Sequence, residues 1–422
     1  MFLSIVIWGL GDAATPRTLG NTGNWYRIAL VVLAALIGTG ALLGNAIRSS
    51  QALKGPLLLL LCYAVVAMIS SLYIPQHSFY SLWKAIELVI DVAVMAAIMM
   101  QPRPLEAVRV AYRVIVACFA ALIAIAWLEA AWMPSQAFVP SRGLLPFTLQ
   151  GVLPVMNGNG LGFSAAVVAF AAWCRLLGSS ASARARFSSL AWLAVGLVTL
   201  VAAQSRTSIV AFVVAVAVQL LFARRFAILG VVVAFASAVL SATAFFDVAQ
   251  RYLMRGQSQE LFTSLSGRTQ GWESAWALFL ESPIVGHGFV AAARVDILGA
   301  AGASTLHGAV FDVLVGVGLL GFIPWAIAIA WTTASTVKVA AARAPADRQA
   351  RARWSTHAEM VGLLALVLLR ATTSSGLALH EHSFMLFLVV VAYAGLARGW
   401  ARQGSAIERR HVTPETRVAR AV

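Results

Sequence analysis

At 422 residues, 60% hydrophobic and only 11% charged, the chain carries less than half of the roughly 25% charge typical of a soluble domain. That much apolar surface excludes a water-solvated globule and makes lipid the solvent, where the backbone must satisfy itself as helices or a closed barrel. The formal charge of +15 arrives in short clusters between apolar runs, with no basic helix interleaved by aromatics, so it argues for membrane topology and against nucleic acid.

The apolar stretches are continuous rather than alternating, which selects helices. The expectation is an all-α polytopic integral membrane protein, one transmembrane domain over 1–422. Residues 2–10 form a short apolar run without a preceding positive region or a small-residue cleavage site, read as a partial twelfth span or an interfacial segment rather than a signal peptide. Spans follow near 26–46, 55–73, 82–100, 108–128, 160–176, 188–203, 208–222, 226–246, 309–335, 357–371 and 383–399. The count is therefore eleven or twelve. Cys62, Cys118 and Cys174 lie in or at the ends of these runs and form no ligand pattern, so they read as small buried hydrophobes.

Lys and Arg sort the loops. Arg48 and Lys54, Arg103 and Arg109, Arg175, Arg184 and Arg186, Arg224 and Arg225, and Lys338 through Arg353 occupy every second loop. Together with the basic tail 400–422 they are assigned to the cytoplasm; Arg17 and Arg27 depart from this pattern. The opposite face then receives 74–81, 129–159, 204–207, 247–308 and 372–382. The long loop 247–307 balances four arginines against five acids, the near-neutrality expected of an exported segment. Within it, Trp272, Trp276, Phe279 and Leu280 recur at helical spacing, predicting an amphipathic helix over 269–281 that Pro283 and Gly286 stop.

The chain has no GxxxxGK[ST] loop, DxD pair, HExxH or Cys/His cluster, and no Gx[ST]xG elbow. Neither an ATP engine, a metal centre nor a serine nucleophile is supported, and no cofactor is expected. Chemistry here must come from positioning and fixed charge. Arg206, in the polar break Gln204-Ser205-Arg206-Thr207, stands where an arginine near a membrane core costs about 2.5–3.5 kcal/mol on insertion scales. It either snorkels from a short turn or serves a ligand. Arg268, at the start of the amphipathic helix, opposes the helix dipole unless an anion binds there. His307 precedes the span that begins near Ala309 and reads as structural unless other groups join it. Arg142 and Asn157/Asn159 are weaker candidates. So are Lys84, Glu87 and Asp91 on one face of the third span, and Arg370 with His380 and His382.

Taken together, Ser205-Arg206, Ser266-Gly267-Arg268 with Trp272 and Pro283-Ile284-Val285-Gly286-His287-Gly288, and His307 leading to Gly318-Leu319-Leu320-Gly321 resemble the O-antigen ligase/polymerase family. The resemblance is concentrated in 204–321; Gly308 replaces the usual asparagine after the histidine, and Gly316 stands where relatives often carry glutamate. The resemblance implies a helical bundle of the C-type glycosyltransferase kind in the bacterial inner membrane. It further implies a glycan on undecaprenyl pyrophosphate as donor and a site facing the periplasm. A ligase would use lipid A–core as acceptor, a polymerase another lipid-linked repeat, and a further relative a protein; the compact chain favours the ligase. In that chemistry Arg206, Arg268 and Arg142 neutralise the leaving pyrophosphate, in place of a metal, and His307 accepts the acceptor hydroxyl proton. A lipid-linked sugar transporter is the rival from another class, with Asp91 in its favour, but it predicts polar groups at mid-membrane and internal repeats.

Overall fold

The computed structural model describes residues 22–44, 52–73, 78–141, 144–178, 182–241, 268–290, 308–342 and 348–411, with 248, 250–252 and 254. Each predicted span over 26–399 coincides with a helix. In chain order these are α1 (Thr22–Leu43), α2 (Pro56–Ser70), α3 (Ser78–Met99), α4 (Pro104–Trp132), α5 (Gly158–Leu177), α6 (Ala183–Ala202), α7 (Arg206–Phe222) and α8 (Phe226–Ser241). The series continues with α9 (Arg268–Glu281), which is the predicted amphipathic helix, then α10 (Ala309–Ala341), α11 (Arg348–Ala371) and α12 (His382–His411). Among the described residues five helices are long and apolar enough to cross a membrane by themselves, with shorter apolar helices beside them. The protein is an all-α polytopic membrane protein, relieved only by the hairpin of β1 (Phe138–Pro140) and β2 (Phe147–Leu149) among the described residues. The run 2–10 lies outside them, as do residues 412–422 of the basic tail, while 400–411 continue α12 as helix.

Local chemistry sets the helix ends. Pro56 and Pro104 open α2 and α4, where a missing N–H costs nothing. Asn157 caps α5, its side chain accepting from the Gly160 amide at 2.8 Å, so this candidate is a helix cap. Two buried helical stretches form the centre: Leu161 to Ala172 of α5 and Phe384 to Ala394 of α12. Their neighbours approach closely where side chains are small. A Cβ at Gly362 of α11 would stand 2.5 Å from the Phe170 ring and 2.8 Å from the Ala215 carbonyl oxygen. That spacing is the small-residue contact by which apolar helices pack in lipid.

α10 was expected to be continuous, and it is not. Gly318 sits at φ 59°, ψ −163°, which interrupts the helical ladder. The freed groups are taken by the segment after α9: His287 and Gly288 amides donate to Val315 and Gly316 carbonyls at 2.8 Å each, and Leu319 and Leu320 amides donate to Pro283 and Ile284 carbonyls at 2.8 and 3.0 Å. Close approach requires both glycines. A Cβ at Gly318 would overlap the Ile284 carbonyl, and one at Gly286 (φ 69°) would stand 2.7 Å from the Gly318 amide. The Pro-Ile-Val-Gly-His-Gly and Gly-Leu-Leu-Gly motifs are thus two halves of one backbone lock. His287 completes it, its Nε2–H donating to the Leu278 carbonyl at the end of α9 at 2.7 Å.

A second non-helical segment enters the bundle between α11 and α12. Leu377, Ala378, Leu379 and His380 are all buried. Tyr63 of α2 donates to the Ala378 carbonyl at 2.6 Å and Trp325 of α10 to that of Leu377 at 2.9 Å, so irregular backbone is satisfied by protein rather than exposed to lipid. His380 Nδ1–H donates to Asp91 Oδ2 at 2.6 Å, tying the segment to α3.

Candidate functional site

The site candidates gather at the end of the bundle holding the 203–206 turn, the start of α9 and the 372–381 segment. The turn comes first. Gln204, fully buried at φ 50°, donates its Nε2 to the Leu145 and Phe147 carbonyls at 3.2 and 2.5 Å, which fastens the β1–β2 hairpin to the start of α7. Ser205, also fully buried, bonds Ser208 at 2.7 Å and donates to Asn159 Oδ1 at 3.3 Å. Arg206 is the first residue of α7 and is half-buried. The polar break is therefore a built turn, in which Gln204 and Ser205 fix the start of the helix that Arg206 opens.

Arg268 is likewise the first residue of its helix, α9, and half-buried. α9 is fixed by its inward face: Ala275 and Phe279 pack against Leu314 and Val315 of α10, and Trp272 stacks on Phe311 with ring centroids 5.6 Å apart. The predicted apolar stripe is split by this docking. Trp276 and Leu280 stay exposed at 49% and 60%, because α10 accepts a strip narrower than the four-residue stripe. Burial, and then the charge of neighbouring Arg206, push the Arg268 guanidinium below the ordinary arginine value. It remains a cation at neutral pH, since arginine does not deprotonate in proteins. Two like charges, 62 positions apart in sequence, are thus held within Coulombic range, each at a helix N-terminus where a cation is disfavoured. An arrangement that opposes both neighbours and dipole is suited to an anion, for which the free N–H groups and the guanidiniums all act in one direction.

Gly308, the N-cap of α10, marks where three elements meet. A Cβ there would lie 3.1 Å from Trp272 Nε1 of α9, 3.5 Å from Phe311 and 3.6 Å from the Thr372 carbonyl just beyond α11. The space that a longer residue after the histidine would need is filled by the Trp272 indole. His307 and Arg142 themselves lie outside the described residues.

The remaining sequence candidates separate from this group. Lys84 and Glu87 pair at 3.1 Å, both buried on α3, with Trp83 Nε1 donating to Glu87 at 2.9 Å. Asp91 is taken by His380, and His382 packs edge-on to Phe119 at 5.2 Å. The α3 polar face is thus engaged in buried pairing. Arg370 belongs with the arginines instead. It lies in the last turn of α11, is 9% exposed, reaches Thr373 Oγ1 at 3.5 Å and stands within Coulombic range of Glu381 and of Arg268. In sequence it is an ordinary basic residue at a helix C-terminus, and nothing local distinguishes it.

The O-antigen ligase family model matches residues 189–326, from within α6 to the middle of α10. The match takes in Arg206, Arg268, His307 and both halves of the glycine lock, and leaves Arg142 and Arg370 outside. No curated protein matches the chain. On an all-α polytopic scaffold, the chain thus carries a segment, residues 189–326, that is similar to the O-antigen ligase family.

Proposed function

We propose that the protein is an O-antigen ligase acting at the periplasmic face of the bacterial inner membrane. It moves a glycan from undecaprenyl pyrophosphate to a sugar hydroxyl of lipid A–core, with neither metal nor ATP. The acceptor oxygen attacks the anomeric carbon and its proton passes to the imidazole of His307, whose reference pKa near 6.5 suits a neutral base. The bond from the anomeric carbon to the pyrophosphate oxygen breaks with its electron pair, releasing undecaprenyl pyrophosphate, and the single displacement inverts the anomeric centre. Arg206, Arg268 and Arg142 face the charge that grows on the leaving oxygen, so their attraction is greater in the transition state than in the bound donor.

One observation carries the reading: Arg206 and Arg268, like charges at two helix N-termini, are held together at one end of the bundle. The contact of Gly308 with Trp272 supports it by bringing the residue after His307 to the turn that follows Arg268. The test is reconstitution in detergent with undecaprenyl-pyrophosphate-linked glycan and lipid A–core, without metal or nucleotide. Wild type is expected to form ligated product and His307→Ala to form none. Undiminished ligation by His307→Ala removes the base assignment, and joining of repeats to one another without transfer to core replaces the ligase by a polymerase.

A further inference from the structure

Among the described residues, Arg370 is the basic side chain that the family match leaves out and the geometry brings in. Its helix, α11, is separated from α9 by the whole of α10, and its position follows from the fold. Gly308 touches Trp272 on one side and the Thr372 carbonyl on the other, so the end of α11 and the first turn of α9 flank the same N-cap. Arg370 lies two residues before Thr372, and Arg268 four residues before Trp272 on the same helix.

The segment that follows Arg370 is held rigidly. Ser374 donates to the Arg370 carbonyl at 2.9 Å, Tyr63 and Trp325 hold the Leu377–Ala378 backbone, and His380 is bound to Asp91. This fixes Glu381, the next residue, at the start of α12, where its charge reaches Arg370. A helix C-terminus stabilises a cation and so does Glu381; Arg268 does the reverse. Arg206, Arg268 and Arg370 therefore form a row of three guanidiniums, each neighbour within Coulombic range of the next, with one carboxylate at its far end. A pyrophosphate diester carries two negative charges and a monophosphate ester of a lipid carries no more than two on a single phosphorus, so a row, rather than a point, matches the two-phosphorus group.

We infer that Arg370 is a further anion-binding residue of the site, holding the second phosphate of a lipid-linked pyrophosphate beside the phosphate held by Arg206 and Arg268, with Glu381 setting how strongly it does so. The inference rests on the transferase reading and assigns a residue that reading does not contain. Because guanidiniums make forked, geometrically matched bonds to phosphate oxygens, lysine at this position is only a partial substitute.

The experiment measures binding of undecaprenyl pyrophosphate and of undecaprenyl monophosphate to the full-length protein in detergent by thermophoresis, with thermal unfolding as a check on each variant. Wild type is expected to favour the pyrophosphate. Arg370→Gln is expected to weaken pyrophosphate binding by roughly tenfold or more while leaving monophosphate binding within about twofold, and Arg370→Lys to fall between. Glu381→Gln, which leaves the arginine in place, is expected to tighten pyrophosphate binding by a few-fold, and it decides the matter if Arg370→Gln does not fold. Wild-type preference in a folded Arg370→Gln, or unchanged affinity in Glu381→Gln, overturns the role of Arg370. If Arg206→Gln and Arg268→Gln also bind the pyrophosphate as wild type does, the transferase reading of the site fails with it.

Discussion

The protein treats its buried charges in two opposite ways. On α3, Lys84 is answered by Glu87 at 3.1 Å and Asp91 by His380 at 2.6 Å, so each of these buried groups has a partner within the chain. At the end of the bundle where α7 and α9 begin, Arg206 stands in Coulombic range of Arg268, and Arg268 of Arg370. There guanidiniums stand beside guanidiniums, with Glu381 at the Arg370 end. Mutual neutralisation marks a group that the fold needs; like charges brought together are the arrangement that the proposed anion site uses. The same residue types, equally anomalous in an apolar chain, are therefore distinguished by their company rather than their identity.

The largest effect belongs to the scaffold that makes this contrast possible. Gly318→Val places a side chain against the Ile284 carbonyl in a left-handed backbone, adding strain of about 1–3 kcal/mol to a direct overlap. It should yield little monodisperse folded protein on size-exclusion chromatography. Gly230→Val, where a Cβ meets nothing within 4 Å, should behave as wild type. Equal yields of the two would dissolve the backbone lock.

Asp91→Ala removes one partner of a buried hydrogen bond and should cost about 1–3 kcal/mol of stability, read as an earlier transition in SDS-induced unfolding. If that transition stays put, the α3 groups are not structural and the contrast fails from that side. Arg268→Gln sharpens it from the other. Glycan transfer should fall by about 10² or more, the scale for losing one transition-state donor. The melting temperature should hold or rise, because a repulsion disappears along with the ligand contact. An Arg268→Gln protein that unfolds as readily as Asp91→Ala would make the arginine an internal strut. The smallest effect is expected at Trp127→Phe. It removes one hydrogen bond, at 2.8 Å to Thr199, between α4 and α6. About 1 kcal/mol of stability should go, with transfer unchanged.

Each prediction also shows where legibility ends. Arg206 and Arg268 are conspicuous in the sequence because a cation at a polar break or a helix start conflicts with its immediate neighbours, and that conflict is local. Arg370 conflicts with nothing local, since a basic residue at a helix C-terminus is favourable. Its meaning comes from Arg268, which the packing of α9 and α11 about Gly308 brings near. The partner of Asp91 is likewise not legible on α3 itself: His380 reaches it only because the 372–381 segment enters the bundle.

What the sequence by itself determined was the run of membrane helices and the amphipathic helix α9, because apolar length and periodicity act within a few turns and lipid leaves the backbone few alternatives. The likeness to the O-antigen ligase family was also legible, since the motifs that carry it are short and contiguous. Tertiary structure alone decided that α10 breaks at Gly318, that Trp276 and Leu280 turn outward, and that three arginines from α7, α9 and α11 form one row. The physical reason is common to all three: each depends on a hydrogen bond, a packing surface or a charge contributed from a distant part of the chain, and no local pattern encodes a partner that only folding supplies.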